Sequence, residues 1–137
     1  MILIHKSAME NLHKALFTVL SAITTETGIK IYDHVPIEQE KYPYIVMGDF
    51  SEDSWGDKTC PGSVVTVNIN SYLQGKSSLP TKVLCNKIIE LLIPNFSVEG
   101  FDLIYSEVDN LSVSEMGNNV FLGQFSFKFY MYLEEDQ

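Results

Sequence analysis

FLGQFSFKFYMYL, residues 121–133, is the most sharply patterned stretch of the chain. Phe121, Phe125, Phe127, Phe129, Met131 and Leu133 share one parity. Gln124, Ser126, Lys128, Tyr130 and Tyr132 share the other. Successive side chains of a strand point to opposite faces, so this period of two predicts a strand with one strongly apolar face. A monomer needs only one such face. The tyrosines on the second face are covered by a terminal segment or meet a partner, and tyrosine suits a surface that is wet at one time and in contact at another.

Working outward, residues 63–72 alternate as well. Val65, Val67 and Ile69 face one way, and Thr66, Asn68 and Asn70 the other. Shorter β signals stand at 30–32, at 43–48 (PYIVMG) and, with mixed character, at 102–108. Two segments carry helical spacing instead. Leu12, Ala15, Leu16, Val19 and Ile23 form one stripe over residues 8–26, opened by a Ser7/Glu10 capping box and stopped by Gly28. Leu84, Ile88 and Leu91 form the inner face of a second helix, with Ser78 as N-cap, Pro80 in its first turn and Pro94 ending it. A turn with Asp33, His34 and Pro36 and a charged loop with Glu38, Glu40 and Lys41 follow the first short strand. Residues 49–62 lack an apolar period and read as a long loop or distorted hairpin, and 110–119 read as a second loop. Helix, two or three strands, helix, two strands is too strand-rich for parallel crossovers. The expected fold is α+β, a single domain over residues 1–137. It has a mainly antiparallel sheet of four to five strands and both helices packed on one face.

Composition narrows the function. At 45% hydrophobic and 20% charged, the 137 residues suit one ordered domain, which at this length buries roughly 68% of its unfolded surface. No apolar run approaches the length that spans a bilayer. Residues 1–6 are too short for a secretory leader, so the chain reads as made in the cytoplasm. Eighteen acidic residues against nine basic ones give −9, and every basic residue is lysine. Duplex DNA is gripped by cationic side chains that displace its counterions, so DNA binding as a main activity is excluded. Cys60 and Cys85 make no CxxC and no zinc spacing, and read as a loop thiol and a buried helical thiol.

Catalytic patterns are missing: no GxGxxG, Walker loop, GxSxG or HExxH occurs. His5, His13 and His34 are scattered and read as surface or structural. Asp49, Glu52, Asp53 and Asp57 are the best metal candidates, since hard cations take several oxygen ligands from a tight loop, but the spacing is not that of an EF-hand. A solvated acidic loop is the plainer reading, and no catalytic, cofactor or metal site is expected. Trp55, in the middle of that polar stretch, either folds back onto the core or anchors a neighbouring subunit.

One ordered set of residues carries a resemblance. It comprises Tyr32-Asp33, Val35-Pro36, Pro43-Tyr44-Ile45-Val46, Gly48, Ser54-Trp55, Lys58-Thr59, Gly62, a β run ending Ile69-Asn70-Ser71, and Gly75 before a helix. An amphipathic helix precedes the set and an aromatic strand beginning near Gly123 closes the chain. The sequence resembles the phage tail completion, or tail terminator, proteins, which also occur in gene transfer agents. The resemblance implies a structural virion protein without catalytic residues or cofactor, at the head-proximal end of the tail. It would form a hexameric ring that caps the tail tube and meets the head-side connector. DNA would pass through that ring unbound, and no membrane is involved. Two different patches are then expected. One is the 49–62 loop with Asp49, Asp53, Trp55, Asp57 and Lys58; the other is the sheet surface near Asn68, Asn70, Tyr130 and Tyr132. Apart from the resemblance, a small cytoplasmic binding module and a metal-dependent enzyme using the 49–57 acidic stretch stay open.

Overall fold

The computed structural model describes residues 6–34, 42–56 and 59–134. Along the chain run α1 (Met9–Thr27), β1 (Lys30–Tyr32), β2 (Tyr44–Gly56), β3 (Pro61–Gln74), α2 (Leu79–Leu92), β4 (Phe101–Gly117) and β5 (Val120–Leu133). One sheet of order β1-β2-β3-β5-β4 carries all five strands. β1 is parallel to β2, and the other pairs are antiparallel. This is the expected α+β architecture with the helices on one side. The turn at Pro36, the loop at Glu38, Glu40 and Lys41, and His5, Asp57 and Lys58 lie outside the described residues.

The core forms where the apolar parity of the strands meets the helical stripes. Phe125, Phe127, Phe129 and Met131 of β5 and Val65, Val67 and Ile69 of β3 lie under Leu12, Leu16, Leu20 and Ile23 of α1 and Leu84, Ile88 and Leu92 of α2. Each side chain of this kind contributes roughly 1.5–3 kcal/mol when fully buried. α2 comes close to the sheet at Gly123. A Cβ built there would stand 2.7 Å from Ser71 Oγ and 2.9 Å from Cys85 Sγ. Burial at this contact pushes the Cys85 thiol above its ordinary pKa.

The loop expected at 110–119 and the capping partners of both helices are corrected. Of the two readings of residues 49–62, a long loop or a distorted hairpin, the hairpin holds. Most of these residues belong to the β2–β3 hairpin, paired from Phe50↔Val67 through Gly56↔Pro61, with a register shift between Met47 and Phe50. Backbone hydrogen bonds hold this arm although neither of its faces is uniformly apolar, which is why periodicity alone left both readings open. Residues 110–119 likewise continue β4 up to a two-residue turn at Asn118 and Asn119, with φ of 55° and 61°. Such a turn matches the twist of a hairpin and needs residues that tolerate positive φ. Finally, the N-terminus of α1 is closed by a distant residue rather than by Glu10. Met9 N–H donates to Ser7 Oγ (3.2 Å), Ser7 Oγ donates to Glu52 Oε1 (2.7 Å), and Ala8 N–H donates to Glu52 Oε2 (3.0 Å). Glu10 pairs with Lys14 instead. At the start of α2, Leu79 N–H is met by Ser77 Oγ rather than by Ser78.

Glu52→Ala should cost about 1 kcal/mol, the usual loss for an N-terminal cap, read as a lower urea midpoint at unchanged slope. Gly123→Ala should cost about 1–3 kcal/mol, the range for overpacking a filled core. An unchanged urea midpoint in the Gly123 variant would show that α2 can move off the sheet freely.

Candidate interaction surface on the open sheet face

With both helices on one side, no other described element covers the opposite face of the sheet. Strand register sets its side chains out in rows. At one end stand Tyr44, Tyr72, Leu122 and Ser114. Next come Val46, Asn70, Gln124 and Ser112, then Asn68, Ser126 and Asn110, then Ser51, Thr66, Lys128 and Glu107. The far end carries Asp53, Val64, Tyr130 and Tyr105, followed by Trp55, Gly62, Tyr132 and Asp102. The face is thus aromatic at its two ends and amide- and hydroxyl-rich between them. The middle is an open concavity of about 600 Å³, with Asp33, His34 and Asp49 at its side. A hydrogen bond from His34, 2.6 Å away, holds the Asp33 carboxyl below its usual range.

The far aromatic end is built around missing side chains. A Cβ on Gly62 would stand 2.3 Å from Met131 O and 3.0 Å from the Tyr132 ring, and one on Gly56 would lie 2.2 Å from Cys60 O. Glycine at both places lets the ring of Tyr132 lie flat across the strands. Trp55 stacks on that ring at 4.8 Å and 15° and meets Tyr130 edge-on at 5.3 Å. Tyr105 stacks on the other side of Tyr130 at 4.3 Å. Such ring pairs contribute about 0.5–1.5 kcal/mol beyond their area. The cluster remains half-buried to exposed, with Tyr105 45% exposed. Tyr130 Oη donates to Glu107 at 2.8 Å. That bond is the first cause, and desolvation the second, of a phenol pKa well above the usual tyrosine value.

The sequence-picked residues fall as follows. Trp55 contacts both Tyr130 and Tyr132, so it belongs to the outer face and not to the core under the helices. Asn68, Asn70 and Asp49 line the concavity beside them. With Asp57 and Lys58 outside the described residues, the described members of the two expected patches thus lie on one face of the sheet. Asp53 stands exposed at its edge. Tyr105, on β4, was missed, because the mixed pattern of 102–108 does not mark which of its residues face outward. The strand also disperses the acidic set. Asp53 points outward, while Glu52 points to the helix layer and is committed to capping α1. Among the described members of the set, Asp49, Glu52 and Asp53, no tight carboxylate loop forms; Asp57 lies outside the described residues. Among the described residues no three His, Cys, Asp or Glu side chains converge on a possible ion site.

What this face offers is hydrogen-bonding amides, exposed rings and carboxylates set out on one sheet. The same two-layer fold occurs in a chain from the virion of a native gene transfer agent particle. The TM-score is 0.80 at 16% sequence identity, covering 92% of this chain and 98% of that one. No family model matches the sequence, and no curated protein matches it. The likeness is one of fold, and it spans nearly the whole of both chains.

Glu107→Gln should bring the ionisation of Tyr130 back towards the ordinary value of 10.0. The raised pKa favours the neutral phenol in the folded state. Its stabilising effect is therefore complete below the ordinary value and lost as the pH rises through the folded one. Spectrophotometric titration of tyrosinate in wild type and variant checks this; superimposable curves would mean the hydrogen bond does not persist in solution.

Proposed function

We propose that this chain is a tail terminator: a structural virion subunit that closes into a six-membered ring on the finished tail tube and meets the head-side connector. The observation that carries the reading is the fold shared, end to end, with a chain of a gene transfer agent virion. The ordered resemblance from Tyr32 to Gly75 points the same way. A bare sheet face with a half-buried tryptophan and three tyrosines is the kind of surface that neighbouring subunits cover, since aromatic residues dominate interface hot spots. The charge is also suited to the role. A ring of chains at −9 each, all without arginine, repels the phosphate backbone and lets DNA through unheld. Its partners on this reading are copies of itself, the tail tube protein and the head-completion protein, and its place is the head-proximal end of the tail.

The test is complementation of tail assembly. Trp55→Ala should leave a folded chain with a modestly lowered melting temperature, since the ring is only half-buried. It should weaken assembly by about 2 kcal/mol, the threshold for a hot-spot residue. A variant that folds and assembles as wild type removes Trp55 from the subunit contact. A wild-type chain that never joins tails or tubes removes the tail-terminator reading altogether.

A further inference from the structure

The helix layer carries a patch whose chemistry is the reverse of the aromatic end of the sheet. Leu79 and Val83 stand four residues apart on α2, which places them side by side. They are 63% and 50% exposed. Lys76 and Lys82 flank them, both exposed. Neither forms an ion pair with a described residue, whereas Lys14, Lys87 and Lys128 do. From Lys76 onward the first acidic residue is Glu90. In a chain of net charge −9, this is an apolar and basic spot. On the opposite layer, Asp53 on β2 and Asp102 on β4 are exposed and bracket the rings of Trp55, Tyr132 and Tyr130. That end of the face is aromatic and acidic.

Because the two patches lie on opposite layers, one chain cannot bring its own pair together. Two copies can, head to tail. We infer that Leu79 and Val83 of one copy pack on the Trp55–Tyr132 rings of the next. Lys76 and Lys82 then lie against Asp53 and Asp102 at the rim. Apolar side chains on rings form the dry centre, and opposite charges at the edge set orientation, which is the usual division of labour in an interface. The contact is heterologous, joining two different surfaces, so it repeats from copy to copy and closes when the rotation per step divides the circle. It rests on the ring reading above and supplies that ring with its second surface.

Charge reversal in the full-length chain tests it. One variant carries Lys76→Glu and Lys82→Glu, a second Asp53→Lys and Asp102→Lys, and a third all four. Self-association is measured by sedimentation at fixed ionic strength, with and without tail tubes, and melting temperature is followed alongside. Each two-site variant should melt near wild type and associate about tenfold more weakly or worse, because like charges then face one another. The four-site chain should recover most of the loss, since every contact in it is again opposite in sign. Leu79→Gln, which changes no charge, should also weaken association. If either two-site variant associates as wild type, or the four-site chain is no better than its parents, the two patches do not meet and this contact is wrong while the ring reading stands. If the wild-type chain self-associates under neither condition, both fall together.

Discussion

Phe125, Phe127, Phe129 and Met131 are buried to within 2% of their surface beneath the two helices, and the rest of the molecule depends on that burial. Strand geometry allows side chains of one parity only to reach the helix layer. Committing the large apolar residues of β5 inward commits Gln124, Ser126, Lys128, Tyr130 and Tyr132 outward. Pairing passes the same rule to β3 directly and, across register shifts, to β2 and β4. A sheet covered on one side therefore carries a second face whose composition is fixed by what the core did not use.

That second face is not generic surface. Gly62 removes a side chain at its far end, and the gap is filled by the ring of Tyr132 with Trp55 stacked on it. The arrangement stiffens the far end of the β2–β3 hairpin, which has no helix over it to pack against. It leaves the rings half open to solvent. Rigid rings lose little freedom when a partner covers them, so a cluster of this kind is already prepared for contact.

The carboxylates are sorted by the same alternation. Asp53 stays at the open face, where it adds to a negative field. Glu52, one residue earlier, reaches the other side and accepts hydrogen bonds from Ser7 and Ala8, the two residues just before α1. A negative group at a helix N-terminus is favourable because it meets the unpaired N–H groups and the positive end of the dipole. The hairpin arm is thereby tied to the helix layer, and one of its acids is withdrawn from the open face. The exposed Lys82 of α2, and Lys76 just before it, are left on the layer opposite to most of the outward carboxylates of the sheet.

The sequence by itself determined both helices, the strands at 63–72 and 121–133, and which parity of each faces the core, because those signals are local and repeat with the period of the backbone. It also determined the excess of acid and the absence of arginine. It left residues 49–56 open between loop and hairpin and did not disclose that 110–117 form a strand. Neither segment carries an unbroken apolar face, and their extended form comes with hydrogen bonds to neighbours placed by their own apolar faces. Nor did it disclose that Trp55 meets Tyr130 and Tyr132, or that Glu52 caps α1 in place of Glu10. Those contacts join residues 44 or more positions apart, and their existence is decided by strand register, which only the assembled sheet defines.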